Sequence, residues 1–298
     1  MPTITSANVA EAIVKLIAAD ALPALVGNLT MGNLINRQYE PVLANAGDTV
    51  NIPIPPTMAA NNISEGGTVL TQNPSLGNAQ VVINTHAEAS FQIPDVTKVI
   101  GHPQLLQMYM QPAVIALAER LETDIMQLYV NLTANSAVGT SNTVITESIL
   151  DSAETALFNV KVPESAQKYL VVSGATYGDL RQISRFTEES TVGTGVPIAS
   201  GMIGRIKNFY VIRSQYVQKV VNTTYNMAFA RDAFALVLRQ LPKPFPGTGA
   251  VAEYAEMGNF GMRVVLSYAP NSLAQQFTVD LLYGIAVLRN IFGVQVLS

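Results

Sequence analysis

Hydrophobic positions along this chain recur with two periods. The helical period is clearest over 103–133, where Val114, Leu117, Leu121, Ile125, Leu128 and Leu132 step by three or four residues. Glu119, Arg120, Glu122 and Asp124 fall on the other faces, which is the pattern of an amphipathic helix. Pro112 is expected in its first turn, where a missing N–H has no consequence, with 103–110 as a separate short element. The helix then runs about 20 residues, or roughly 30 Å. A shorter helical stripe, Val9, Ile13, Leu16 and Ile17, predicts a helix over 8–19, started by Asn8 with Glu11 three residues on. Only one face is apolar, so it reads as an arm and not a core element. Ile149, Leu150, Ala153 and Leu157 predict a third helix over 146–158, and a further helix starts at Tyr177–Ile183.

The extended period fills 41–100. After the turn signal Gly47-Asp48, Val50, Ile52 and Ile54 alternate with polar or small residues, while Pro53, Pro55 and Pro56 keep this run out of a central strand. Residues 59–78 are rich in Asn, Gly, Ser and Thr around Gly66-Gly67 and read as a hairpin tip. The runs Gln80–Asn84 and Glu88–Ile93 return from it, predicting a long hairpin. An isolated hairpin is marginally stable, so this one is expected to lean on a neighbour. Further strands are expected at Tyr169–Val172, Phe209–Ile212, Gly261–Tyr268, Gln276–Leu282, and Ile285–Arg289 or Val294–Leu297. Residues 186–201 read as a loop, and 225–241 as one mostly apolar segment closed by Pro242, Pro244 and Pro246. Helices and strands mix without a βαβ rhythm, so the fold class is α+β.

Composition changes the picture in one respect. With 17 basic and 21 acidic residues among 298, charged side chains make up only 13%, against roughly 25% in an ordinary domain. Too few charges remain to coat a free-standing monomer, so much of the surface is expected to be covered by lipid or by protein. No stretch reaches the ~18 apolar residues of a spanning helix. The N-terminus carries Glu11 and Asp20 and lacks the basic start of a signal peptide. Aromatic residues, at 7%, are too sparse for the girdles of a membrane barrel. Cover by protein remains. The net charge of −4 and the scattered basic residues do not suit a general nucleic-acid binder.

Catalytic chemistry is not legible. The chain has no cysteine, and neither His86 nor His102 has a metal-ligand partner at the right spacing, so both read as structural or solvent-facing. Gly193-Thr194-Gly195 and Gly247-Thr248-Gly249 begin like phosphate loops and do not continue as such. Glu188-Glu189 read as solvated. Arg231-Asp232 reads as an interface or core ion pair. The Asn-x-Ser/Thr sites at Asn28, Asn62, Asn131 and Asn222 have meaning only in an exported chain. No enzyme activity, cofactor or metal is expected.

The order of elements (arm, long hairpin, long helix, mixed remainder) resembles the major capsid proteins of tailed double-stranded DNA phages, which share the Hong Kong 97-like fold. The likeness is greatest to short-tailed phages. GDTVNIPIPP at 47–56 is similar to the lead into the family's E-loop, and MQPAVIALAERLETDI at 110–125 to its spine helix. VPESAQKYLVVS at 162–173, GRIKNFYVIRS at 204–214 and AFARDAFALVLRQLP at 228–242 resemble segments of the axial (A) domain. VDLLYGIAVLRNIFGVQVL at 279–297 resembles the closing strands of the peripheral (P) domain.

The resemblance implies an N-terminal arm at 1–44, an E-loop at 45–100, the spine helix with part of the P-domain at 101–165, an A-domain at 166–258 and closing P-domain strands at 259–298. It implies a virion protein that self-assembles into hexamers and pentamers of an icosahedral shell around double-stranded DNA, without sequence-specific DNA binding and without a membrane. The short distance from Ser214 to Asn226 leaves no room for the extra A-domain insertion of some relatives. The arm begins so near Met1 that a separate scaffolding protein, with a portal, is expected during assembly. Lys98 and Lys161 are not selected by any crosslinking motif. Candidate contacts between subunits are Val9, Ile13, Leu16 and Ile17 on the arm, Ile52, Ile54, Asn62 and Glu65 on the hairpin, and Glu119, Arg120 and Glu122 on the helix, whose charges read otherwise as solvated or salt-bridged. The alternatives are an encapsulin-like nanocompartment shell, a cytosolic α+β enzyme, or another virion component such as a tail protein.

Overall fold

The computed structural model describes residues 14–15, 23, 25, 29–39, 49–56, 58–96, 105–183, 204–245, 248–257 and 260–298. Val9, Ile13, Leu16 and Ile17 lie outside them, as do Lys98, His102, Glu188, Glu189, Gly193, Gly195, Gly247 and the stretch 186–201.

Two sheets share the core. The five-stranded sheet joins β3 (Thr85–Pro94), β10 (Phe234–Arg239), β11 (Val251–Met257), β12 (Phe260–Ala269) and β13 (Ala274–Val287), all antiparallel. β13, 14 residues long, is its spine: β3 runs along one side, β12 and then β10 along the other. The seven-stranded sheet joins β4 (Val138–Gly139), β5 (Lys168–Val172), β6 (Arg205–Ile206), β7 (Phe209–Arg213), β8 (Gln218–Val220), β9 (Thr223–Ala230) and β14 (Gly293–Leu297). Its pairs β5–β7 and β4–β14 are parallel. The buried Asn226 ties this sheet together: its Oδ1 accepts from Ser173 N at 3.0 Å, and its Nδ2 donates to Val296 O at 3.1 Å. Among the described elements four α-helices stand beside the sheets: α1 (Met31–Leu34), the long α2 (Leu105–Gln127), α3 (Glu147–Asn159) and α4 (Gly174–Gln182).

Helix α2 buries Val114, Leu117, Leu121 and Ile125, so the sequence stripe is its inner face. It lies against β3 and β13. β3 alternates strictly, with Ala87, Ala89, Phe91 and Ile93 inward and His86, Glu88, Ser90 and Gln92 outward. The helix differs from expectation at its start. It is one element of 23 residues with Pro112 inside it, not a short segment followed by a Pro-initiated helix. Pro112 and Met108, whose carbonyl loses its partner there, are both exposed, so water can satisfy that oxygen.

Two further expectations need correction. The segment 225–241 is not one element: it breaks at the 3-10 turn Arg231–Ala233 into β9 and β10, which enter different sheets. Arg231 and Asp232 are exposed there rather than forming a core ion pair, and Asp232 accepts from Asn36 Nδ2 at 2.7 Å. The C-terminal strands also divide differently, since β13 takes 274–287 whole and β14 crosses to the seven-stranded sheet. The blocks 166–258 and 259–298 therefore each contribute to both sheets.

The hairpin is formed by β1 (Thr49–Ile54) and β2 (Gly77–Val82), antiparallel with Thr49 opposite Val82. The second half of the returning run is β3, which belongs to the five-stranded sheet and not to the hairpin. Val50, Ile52, Val81 and Ile83 are buried against Ala235, Val237, Leu282 and Leu288 of the same chain. The hairpin base thus leans on its own subunit, and only the part beyond it needs outside support. This seating demands a glycine. A Cβ on Gly284 would lie 2.4 Å from the Val82 carbonyl oxygen, closer than packed atoms tolerate.

Gly284→Ala is expected to lift β2 off β13 and destabilise the subunit by about 1–3 kcal/mol, in the manner of an overpacked core. Thermal denaturation combined with hydrogen exchange at Val81–Ile83 checks this. Unchanged exchange there would show that the close approach is not needed.

Candidate assembly surfaces

Beyond the hairpin base the described residues between Pro55 and Leu76 form neither helix nor strand. A loop of this length without regular structure is uncommon in a compact domain and is usually functional or disordered. Here it has a defined shape. Gly66, at φ +79°, makes a turn closed by Gly67 N donating to Ser64 O at 2.9 Å. Further back, Gln72 Oε1 accepts from Ala59 N at 3.0 Å, while Gln72 Nε2 donates to Ala59 O. These bonds tie the two limbs without burying anything. Met58, Ile63, Val69, Leu70 and Leu76 all stand exposed, Val69 to 76%. From Thr49 to Asn84 the only charged side chain is Glu65. The tip is therefore an apolar and amide surface with almost no charge, reaching away from its own core.

The candidate contacts on this hairpin separate accordingly. Asn62 and Glu65 are exposed on the tip, Ile54 is half-buried where strand gives way to loop, and Ile52 is buried inside the subunit. Ile52 is corrected to an intrachain core residue, because alternation turns it toward Val237 and Leu282. The apolar tip residues Met58, Val69, Leu70 and Leu76 were missed by periodicity, since an irregular loop has none. Their only signal was apolar side chains in a stretch with a single charge.

Helix α2 divides in the same way. Glu119 and Arg120 are exposed, and Arg120 Nε donates to Asp124 Oδ2 at 3.1 Å one turn on. Glu122 is fully buried and is corrected to an internal anchor. Its Oε2 accepts from Met31 N at 2.9 Å and its Oε1 from Gly32 N at 3.1 Å. These are the donors at the N-terminus of α1, where a carboxylate finds unpaired N–H groups. Burial raises the Glu122 carboxyl above its ordinary value, against the backbone hydrogen bonds from Met31, Gly32 and Thr30 that favour the charged form. From α1 the chain runs on to the edge of β10, where Asn36 N donates to Phe234 O at 3.1 Å and Leu236 N to Asn36 O at 3.0 Å. Val14 and Leu25 also belong to the main core, so the N-terminal segment is partly a core element. That contrasts with an arm presenting one stripe outward.

Two other exposed apolar side chains lie just beyond strand ends. Val221, with φ +55°, caps the β8–β9 turn, and Phe245 follows β10 in a proline-rich stretch at 84% exposure. The tight β8–β9 turn fills the span from Ser214 to Asn226, with no inserted domain. His86 approaches Asp280 at 3.2 Å, and Arg263 Nε donates to the same carboxylate at 3.0 Å. This cross-strand cluster links β3, β13 and β12 and reads as structural. Among the described residues no group of acidic or histidine side chains could hold a metal ion, and no helix is long and apolar enough to cross a membrane.

Comparison with known proteins bears on these surfaces. A family model described as phage capsid protein matches residues 78–290. No curated protein matches the chain significantly. Among solved structures, the chain is similar to one from Mycobacterium phage Che8, at 19% identity over 90% of each chain with a TM-score of 0.66. It is similar to the capsid of cyanophage P-SCSP1u at 15% identity over 85% of this chain and 84% of that one, TM-score 0.62. An encapsulin complex from Synechococcus elongatus shares the fold at 12% identity over 85% and 83%, TM-score 0.50.

Glu122→Gln presents an amide N–H₂ to one of the two backbone donors. It is expected to destabilise the subunit by about 1–2 kcal/mol at neutral pH, the range for an unsatisfied buried donor. Because burial raises the folded-state value of Glu122, its contribution is complete below about pH 4.5 and is lost as pH rises through the raised value. The gap between wild type and the non-titrating variant is therefore largest in acid and narrows toward neutrality. Urea denaturation of dissociated subunits at several pH values checks this, and a gap that widens with pH contradicts it.

Proposed function

The chain belongs to the phage capsid protein family, and from that membership we propose how its surfaces build a shell. It is a major capsid protein of the Hong Kong 97-like fold, a structural component of the virion that forms an icosahedral shell, and not an enzyme.

In the proposed arrangement subunits group into hexamers and pentamers, and the hairpin of each, the E-loop, lies over the adjacent subunit. One observation carries this reading. The hairpin base is buried in its own chain, whereas the tip exposes Met58, Ile63, Val69, Leu70 and Leu76 with only Glu65 for charge. Burying those side chains against a neighbour yields roughly 25 cal/mol for each Å² of apolar area removed from water. The shell encloses double-stranded DNA, and the net charge of −4 suits a container that must not hold phosphates tightly. A separate scaffolding protein and a portal act during assembly. α2 fills the role of the spine helix. The five-stranded sheet fills the P-domain, and the seven-stranded sheet, with β14, fills the A-domain.

Replacing residues 55–76 by a two-residue Asn-Gly turn, which joins the paired Ile54 and Gly77 directly and suits an antiparallel pair, is expected to leave the subunit folded and abolish closed shells. Circular dichroism with electron microscopy of the purified product reads both. Shells that assemble as before would remove the tip from the interface. Nuclease-treated wild-type particles should contain DNA; particles holding only protein cargo would instead indicate a nanocompartment.

A further inference from the structure

Toward the β6 edge of the seven-stranded sheet, which the β1–β2 hairpin does not join, a cavity of about 270 Å³ lies between the 164–167 turn, the start of β5 and the β6–β7 hairpin. Lys168, the first residue of β5, lines it. Its side chain is 1% exposed, yet Nζ has no hydrogen-bond partner. The nearest carboxylate oxygen, Glu164 Oε1, stands at 3.5 Å, beyond ordinary hydrogen-bond length, on a side chain 60% exposed. Glu164 is thus an ion-pair partner and not a hydrogen-bond acceptor, and a buried ammonium is costly unless an acceptor meets its donors.

The other lining groups add donors. Arg205 stacks over the Tyr210 ring at 5.4 Å and gives one N–H to Asn208 Oδ1 at 3.2 Å, leaving the rest of its five-donor fork to other partners. Asn208 is held in that orientation because its Nδ2 donates to Glu154 Oε1. Gln167 Oε1 accepts from the Tyr169 hydroxyl at 2.6 Å, so its amide presents N–H₂ as the remaining polar group. Two cations face one carboxylate, an excess of one positive charge in a chain that is negative as a whole. The volume accommodates a small polyatomic anion with several waters, each occupying about 30 Å³.

We propose that this cavity binds one oxyanion, phosphate or carboxylate in chemistry, which accepts from Arg205 at the mouth and displaces Glu164 toward solvent, so that Lys168 Nζ, covered until then, donates to the anion in place of that ion pair. The oxyanion comes either from solution or from an acidic side chain of an adjacent subunit, and one probe separates these sources.

Inorganic phosphate titrated into dissociated full-length subunits, followed by phosphorus NMR or calorimetry, is expected to bind saturably. Lys168→Met keeps the aliphatic volume and the fold and weakens binding roughly tenfold, the scale of a lost charge-assisted hydrogen bond. Arg205→Gln, on an exposed side chain, weakens it by a smaller factor. Binding that persists in assembled shells assigns the anion to solution. Exclusion of phosphate from shells, with Lys168→Met lowering the melting temperature of shells more than of subunits, assigns it to a neighbour's carboxylate. No saturable binding to dissociated subunits at millimolar phosphate, or equal binding by Lys168→Met and wild type, overturns the proposal. Neither result depends on where the hairpin tip docks.

Discussion

The carbonyl of Ala233 holds the junction on which both sheets depend. It accepts from Leu288 N at 2.8 Å and from Arg289 N at 3.3 Å, so the 3-10 turns Arg231–Ala233 and Asn290–Phe292 sit side by side. On one side of them β9 pairs with β14, and on the other β10 pairs with β13. This is a single two-stranded ribbon, bent once, whose halves lie in different sheets. Phe229 and Phe234 pack edge to face across the bend, with ring centroids 5.1 Å apart. Because the same ribbon carries ladder hydrogen bonds on both sides of the bend, the two sheets are joined through paired backbone and not through a single-chain linker.

Everything that reaches outward is mounted on this ribbon. Tyr283 on β13 donates to Asp124 Oδ2 of α2 at 2.6 Å, and burial raises its phenol well above the ordinary value, so it remains a neutral donor. The next residue, Gly284, receives the backbone of β2. Helix and hairpin are thus fixed at adjacent positions of one strand, and Glu122 on the helix in turn fixes α1. The hairpin tip has a turn and the Gln72–Ala59 bonds but no core. Its direction therefore comes from Gly284 and the ribbon beneath, and a subunit built this way aims its tip before any neighbour is present.

Legibility in the sequence followed how strongly each element alternates between environments. The inner stripe of α2 and the Val50–Ile52 alternation were readable, because one side faces core and the other water. The break at Arg231–Ala233 was not: β9 and β10 are buried on both faces, so their apolar residues form one continuous run without a period. The division between β2 and β3 was hidden for a related reason, since both alternate and only pairing partners distinguish them. Glu122 looked like one more helix charge because its partners, Met31 N and Gly32 N, lie about ninety residues away. Lys168 was equally silent. A strand-initial lysine reads as solvated unless the surrounding turn and hairpin are known to close over it.

The scarcity of charge acquires a location from these observations. Arg263, His86 and Asp280 converge on one cluster, Lys207 lies against Asp151 and Glu147, and Lys243 meets Glu253 at 2.8 Å. These charges are neutralised within the subunit, on the sheets and α3. The hairpin by contrast offers Asn, Thr, Gln and apolar side chains with Glu65 alone. Covering a charge with another protein incurs a desolvation penalty that only good pairing recovers, and a loop with no core of its own supplies such pairing poorly. Amides and hydroxyls exchange water for a partner at far smaller loss. A tip nearly free of charge can therefore be covered by a second copy without exact registry of ion pairs, which is what repeated, slightly inequivalent positions on a closed shell require.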